Sequence, residues 1–521
     1  MTRIALGLSV LATACGGGSN VPTLDAAATG SDGGSVAITT EVAIDSGPLH
    51  GTAAGDLVIF KGVPYAGAPR WMPPTTPIAW TAALDATAFG PACPQNKHPE
   101  LPQAEQCLSL NVWAHADGKP RPVIVWIHGG GYIEGSSRDP SYDGAQLADN
   151  ADVDVVSINY RLGILGFLAL PQLTAPDGGI GNYGLRDQIA ALGWVKRNIN
   201  AFGGDPTHVM ISGESAGGAA VCTLLAAPGA QGLYSAAAIE SGPCQVPLEL
   251  TQPVGSFPAA EGFGVVVVAA PLGCTSGDVA GCLRGKSAAQ ILALDVPVFY
   301  DVGLPITPTF PVIDGVVMDK RPFEALAAGR GNVPVIVGSN LEDASVFVFQ
   351  MGITNAAGQL DAYLHAIGQD SNKTQLEAIY PVTTFGEFFA ATAYMTEVAF
   401  ACSALGVAIA HQSAPTYLYE LQRGIPNGML APLRSVHGYD YINLFGTFAS
   451  FLITPEAADL SVSAQIQKAW GELAHGIAPV GFPAASGSTP SFRQIDETST
   501  NGTSWRGGRC SQLQALGILH L

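Results

Sequence analysis

A serine among small residues, Gly213-Glu214-Ser215-Ala216-Gly217, lies between an apolar run of strand character, His208 to Ser212, and a run of helix character, Ala219 to Ala227. A strand that turns at once into a helix holds such a serine in a strained backbone conformation, with its hydroxyl presented above the sheet edge. Glycines two before and two after let strand and helix approach without a Cβ clash. The chemistry this serves is acyl transfer, and it needs three partners: a base to take the hydroxyl proton, an acid to orient that base, and donors for the oxyanion. In a chain with 63 glycines the pentapeptide alone is weak, and it gains meaning only with those partners.

Each partner has a candidate. His128-Gly129-Gly130-Gly131 follows the apolar run Pro122 to Ile127, and residues without side chains there free backbone N–H groups for a tetrahedral intermediate. Gly130 and Gly131, with the N–H of Ala216, are the expected oxyanion donors. If the order is serine, acid, histidine, the base is His365, His411, His437, His475 or His520. His365 and His475 fall in helix-like patterns and His520 at the extreme end. His437 precedes Gly438 in a loop after the strand around Leu421, which makes it the expected base. The acid belongs at the exit of the strand Val333 to Gly338, where Ser339-Asn340-Leu341-Glu342-Asp343 offers two carboxylates. Adjacent side chains diverge, so only one of Glu342 and Asp343 reaches His437.

These groups need a frame. Asp154 to Tyr160 and Pro122 to Ile127 are continuous apolar runs, as strands buried on both faces must be. Ala236 to Ile239, Val333 to Gly338 and Tyr417 to Leu421 continue the series, with helical or irregular stretches between them. Tyr183 to Asn200 places Leu185, Ile189, Leu192, Val195 and Ile199 on one helical face despite Gly193; Val462 to His475 reads as a late amphipathic helix. Val36 to Ile44 and Leu57 to Lys61 form an N-terminal β layer. Gly264 to Ala270 reads as strand or buried helix. The pattern predicts an α/β fold, a large, mostly parallel central sheet flanked by helices. No internal repeat appears, and one catalytic domain is expected over 36–521.

Of 521 residues, 47% are hydrophobic and only 12% charged; 42 acidic against 23 basic side chains give a formal charge of -19. That balance disfavours nucleic acid and serves solubility. Residues 1–14 read as an export signal: Arg3 carries charge, Ile4 to Ala14 is apolar and too short to span a bilayer. Leu11-Ala12-Thr13-Ala14-Cys15 has the form of a bacterial lipobox, with Ala12 where leucine is usual. Cys15 is therefore the expected lipid attachment point, and simple secretion is the alternative. Residues 15–35, rich in Gly, Ser, Ala and Asp, behave as a tether. The expected place is a bacterial cell envelope, otherwise the periplasm or medium. Setting Cys15 aside from the nine cysteines leaves eight, an even number that favours disulfides in an exported chain.

Taken together, these segments resemble the type-B carboxylesterase and cholinesterase family over nearly the whole chain after the tether. Phe202-Gly203-Gly204-Asp205-Pro206, with Val209, Ile211, Gly213, Ser215, Ala216 and Gly217, fits the family's active-site signature. Glu105-Gln106-Cys107-Leu108-Ser109-Leu110-Asn111-Val112 resembles its second signature, with Gln106 in place of Asp and Ser109 in place of an aromatic residue or threonine. Asn159 to Gly163, Gly181 to Gln188 and His437-Gly438-Tyr439-Asp440 are further family-like blocks, the last with Asp440 for a usual Glu. The resemblance implies an acid in a pattern like Asn-x-x-Glu-Gly. Counting from Asn340 gives Asp343, with Ala344 in place of Gly, so Asp343 is the expected acid and Glu342 the alternative. It implies that Glu214 is a buried second glutamate and Ser241 a serine that supports it. It also implies the bridges Cys93–Cys107, Cys274–Cys282 and Cys402–Cys510; Cys222 and Cys244 are left as a fourth pair or as two buried thiols.

The implied activity is hydrolysis of small-molecule carboxylic esters through an acyl-enzyme, with no cofactor and no metal ion. Cholinesterases place a tryptophan in the first disulfide loop to hold a quaternary ammonium. Here Pro94 to Gln106 contains no aromatic residue, so short or medium acyl esters, or aromatic esters, are expected instead. Two alternatives remain: a surface or adhesion protein of the same fold, as in family members that lost the serine, and an amidase or lipase using the same residues. The membrane enters only through the N-terminal anchor.

Overall fold

The computed structural model describes residues 37–519 apart from 246–247, 254–257, 297–298, 302–303, 307 and 488–489. The signal, Cys15, the tether to Ser35 and His520 lie outside the described residues.

An eleven-stranded sheet forms the centre. Its strands in chain order are β1 (Thr52–Ala54), β2 (Leu57–Pro64), β3 (Ser109–His115), β4 (Arg121–Ile127), β5 (Asp154–Ile158), β6 (Gly204–Glu214), β7 (Ala236–Glu240), β8 (Val335–Asn340), β9 (Thr416–Leu421), β10 (Phe492–Ile495) and β11 (Thr500–Gly502). They lie in the order β11-β10-β9-β8-β7-β6-β4-β5-β3-β2-β1. From β5 to β10 neighbours run parallel, whereas β1, β2, β3 and β11 pair antiparallel at the edges. The sheet is thus mixed, with the parallel part where the site is built. Every residue of β5, β7, β8 and β9 is buried. Both faces are covered, which is why these strands read as apolar runs without alternation.

Part of the expected N-terminal strand, Glu41–Ile44, joins Gly47–His50 and Leu84–Asp85 in a separate three-stranded sheet. The valine run within Gly264 to Ala270 is helical, continuous with Ala260–Phe263. A Cβ at Gly264 would overlap the Ala169 carbonyl oxygen, so the glycine lets this helix lie directly on that backbone.

Four helices bear on the site: α1 (Tyr183–Asn198), α2 (Ala216–Ala226), α3 (Val382–Ala410) and α4 (Tyr439–Phe445). α3 has a mean hydropathy of 1.6 in its most apolar window and is 83% buried there. By length and composition it could cross a membrane, but here it is a core helix, apolar all round because the fold surrounds it. Its middle, Glu397–Ala401, is a π turn. Cys93–Cys107, Cys274–Cys282 and Cys402–Cys510 are bridged, and Cys222 pairs with Cys244 at a Cα separation of 5.5 Å.

Candidate active site

β6 ends at Glu214 and α2 begins at Ala216, leaving Ser215 alone in the turn with φ 59° and ψ -122°. A non-glycine residue there is strained, and the strain is held by its surroundings. The Ser215 N–H donates to the Glu240 carbonyl of β7 at 3.0 Å. A Cβ at Gly213 would stand 2.6 Å from the Gly217 carbonyl carbon and 2.7 Å from the Ile127 oxygen. The flanking glycines are therefore required by the close approach of β4, β6 and α2.

The glycine loop leaves β4 and lies against the elbow: a Cβ at Gly129 would fall 3.1 Å from that of Ser215. Gly130 and Gly131 take φ of 96° and 60°. Among the described residues no acceptor takes the N–H groups of Gly130, Gly131 or Ala216. Unpaired N–H groups on the loop and at the helix start leave donors free for a developing oxyanion.

His437 follows β9 in a loop whose N–H donates to the Asp343 carbonyl at 3.0 Å. Its Nδ1 lies 2.6 Å from Asp343 Oδ1. A carboxylate only accepts, so Nδ1 carries the proton. Asp343 Oδ2 accepts from Ser241 Oγ at 2.7 Å and from the Asn340 N–H at 3.0 Å. Glu342 points away, accepting from Arg434 Nη1 at 3.2 Å and the Ser435 N–H at 3.3 Å. The other histidines lie elsewhere: His365 pairs with Asp370, His411 is held by Thr416 and the Gly331 carbonyl, and His475 meets the Asp152 carbonyl.

One expectation is corrected. Ser241 supports Asp343 and Asp440, the latter at 3.1 Å, and makes no hydrogen bond to Glu214. β7 lies between β6 and β8, and Ser241, with φ 47°, turns its hydroxyl toward the exit of β8.

Glu214 instead faces the base: its Oε1 is 3.1 Å from His437 Nε2. Ser215 Oγ has no hydrogen-bond partner among the described residues. Burial raises Glu214 to about 8. Burial alone would lower His437, but Glu214 and Asp343 outweigh it and lift the imidazole to about 9. Asp440, buried beside Asp343, is raised to about 6. His437 thus lies between two carboxyl groups, Asp343 at Nδ1 and Glu214 at Nε2.

Several contributors escaped the sequence reading. Phe400, in the π turn of α3, stacks on His437 with ring centroids 4.7 Å apart, and Phe347 lies at 5.1 Å. Arg506, buried, donates to the carbonyls of Asn340 and Leu341 at 2.8 and 2.9 Å, bracing the acid loop from behind. Lone residues distant in sequence carry no periodic signal; only the burial of an arginine marks this one.

Across residues 38–506 the chain matches the model of the Carboxylesterase family. It is similar to a fumonisin B1 esterase of Sphingopyxis macrogoltabida, 31% identical over 88% of this chain and 85% of that one. A para-nitrobenzyl esterase of Bacillus subtilis is 34% identical over 72% of this chain and 76% of its own. Among solved structures, a PNB esterase superposes with a TM-score of 0.77 at 31% identity, covering 91% of this chain and 99% of that one.

Proposed function

The chain belongs to the carboxylesterase family and is a carboxylic ester hydrolase, and from that membership and the geometry above we propose that it works through an acyl-enzyme on Ser215. Before attack the protonated form of His437 loses its Nε2 proton to bulk water, and a small ring movement turns Nε2 from Glu214 to the adjacent Ser215. Nε2 then takes the hydroxyl proton as Oγ attacks the ester carbon, and the carbonyl oxygen becomes an oxyanion facing the N–H groups of Gly130, Gly131 and Ala216. Collapse breaks the ester C–O bond, and His437 returns the proton to the leaving alcohol. Water, deprotonated by the same nitrogen, attacks the acyl carbon; the acid leaves and Ser215 regains its proton. Asp343 holds the ring in the required tautomer.

The observation that supports this reading most is the 2.6 Å pairing of His437 Nδ1 with Asp343, from a loop beside the strained serine. A fluorophosphonate probe followed by peptide mass analysis should label Ser215 stoichiometrically. Oxidised, folded protein without that adduct would sink the proposal. For substrates, the aromatic rings on His437 and the absence of aromatic residues from Pro94 to Gln106 favour uncharged short or medium acyl esters, or aromatic esters.

A pH dependence follows. The base works only unprotonated, so a pKa of about 9 withholds it at neutrality and activity climbs through the alkaline range. Glu214→Gln removes one of the two carboxylates facing the ring; burial then weighs more and the imidazole pKa falls. The acidic limb of kcat/KM should move down by about one pH unit or more. An unmoved limb would show that Glu214 does not govern the base.

Export with a lipid on Cys15 completes the proposal, supported by the lipobox-like stretch and the bridged cysteines. Expressed in a bacterium, the full chain should take up radiolabelled palmitate and Cys15→Ala should not; equal labelling of both would refute the site.

A further inference from the structure

Glycine backbone alone does not fix the shape of this loop. Gly130, Gly131 and Gly135 all have positive φ, at 96°, 60° and 105°, and glycine visits many other conformations at little cost. Hydrogen bonds, from within the loop and from outside it, must therefore aim its N–H groups. At the near end, the Gly130 carbonyl accepts from the N–H groups of both Ile133 and Glu134 at 3.0 Å. In a trans peptide C=O and the following N–H point in opposite directions, so pinning the Gly130 carbonyl sets the direction of the Gly131 N–H. At the far end, Gly135 is gripped at both its backbone groups by one side chain. Gln95 Nε2 donates to the Gly135 carbonyl at 2.9 Å, and the Gly135 N–H donates to Gln95 Oε1 at 2.9 Å.

Gln95 is itself fixed. It is 3% exposed, its amide also donates to the Cys93 carbonyl at 3.1 Å, and its N–H donates to Gln103 Oε1 at 2.9 Å. All three residues lie in the loop closed by Cys93–Cys107. Gly135 directly follows Glu134, whose N–H holds the Gly130 carbonyl. A slip at Gly135 is therefore passed to the peptide that carries the Gly131 N–H.

We propose that Gln95 is a positioning residue for the oxyanion hole, through which the first disulfide loop braces the glycine loop. The proposal rests on the oxyanion role given above to Gly130 and Gly131. The same disulfide loop supplies a matched comparison: Gln106 makes the same two-point grip, but on Ala68, at 3.0 and 3.2 Å, away from the glycine loop.

The test uses the full-length oxidised enzyme with Gln95→Leu and Gln106→Leu. It reads kcat and KM on a p-nitrophenyl ester, thermal stability, and affinity for a trifluoromethyl ketone, whose adduct on Ser215 puts an oxyanion in the hole. Gln95→Leu should lower kcat by about tenfold to thirtyfold, a part of the roughly hundredfold cost of losing a whole donor. KM should stay within about twofold, and ketone affinity should fall by a factor similar to kcat. Gln106→Leu should keep kcat within about twofold whatever it does to thermal stability. Gln95→Glu, which keeps the acceptor for the Gly135 N–H but cannot donate when ionised, is read in the same way if Gln95→Leu does not fold. Unchanged kcat and ketone affinity in the Gln95 variant overturn the brace, as do equal losses in both glutamine variants. Wild-type enzyme that takes no fluorophosphonate on Ser215 overturns the acyl-enzyme reading instead, so the two failures are distinguishable.

Discussion

Asp343→Asn is expected to lower kcat by about 10⁴-fold while the protein stays folded, because the exchange reverses the tautomer of the base. Asp343 Oδ2 accepts two hydrogen bonds, from Ser241 Oγ and the Asn340 N–H. An asparagine would keep its oxygen there and turn its NH₂ toward His437. Nδ1 must then accept, Nε2 carries the proton, and no lone pair is left to take the hydroxyl proton of Ser215. Glu342→Gln should cost less than about fivefold, because its partner is a largely exposed arginine and such pairs are worth about 1 kcal/mol or less. Steady-state kinetics on one ester compares the two. A larger loss for Glu342→Gln would move the acid to that residue.

Gly217→Ala is expected to cost about 4 kcal/mol of stability or more and to remove most activity in whatever protein folds. Its Cβ would overlap the Ile127 carbonyl oxygen and lie 2.9 and 3.0 Å from the carbonyl carbons of Ile127 and His128. These are backbone atoms at the end of a strand bonded on both sides and in the residue just after it, so no side chain can rotate away. Relief requires α2 to move off β4, which withdraws both the Ser215 turn and the Ala216 N–H. Denaturant unfolding and soluble yield report the first effect, and kcat the second. Gly193→Ala in α1, whose Cβ would meet only the far end of Arg197 at 3.5 Å, is the comparison and should be near neutral. A Gly217→Ala protein as stable as wild type would mean that the close approach is not what the glycine serves.

Much of this was legible beforehand. β4, β5, β7, β8 and β9 were visible as apolar runs because both faces of each are covered. α1 was visible through its spacing. The strand β3 hid inside a motif because its buried Asn111 breaks the apolar run; its amide instead bonds Ser137 and Ser157. α3 hid because a helix buried all round has no polar face to set a period. The helical valine run shows β propensity yielding to packing on Ala169.

What the sequence by itself determined was the local chemistry: the elbow, the glycine loop, and the residues on each loop that could serve as base and acid. Each is a short-range pattern, since tight turns and close backbone approaches demand particular residue types at particular offsets. The tertiary structure alone decided which groups meet. It chose Asp343 over Glu342, because the loop after β8 turns one carboxylate toward His437 and the other toward Arg434. It assigned Ser241 to the acid, since β7 lies between β6 and β8. It also put Glu214 on the base and Gln95 on the glycine loop. Those pairings depend on the order in which strands lie side by side, and that order is settled by packing across hundreds of residues, which no local pattern records.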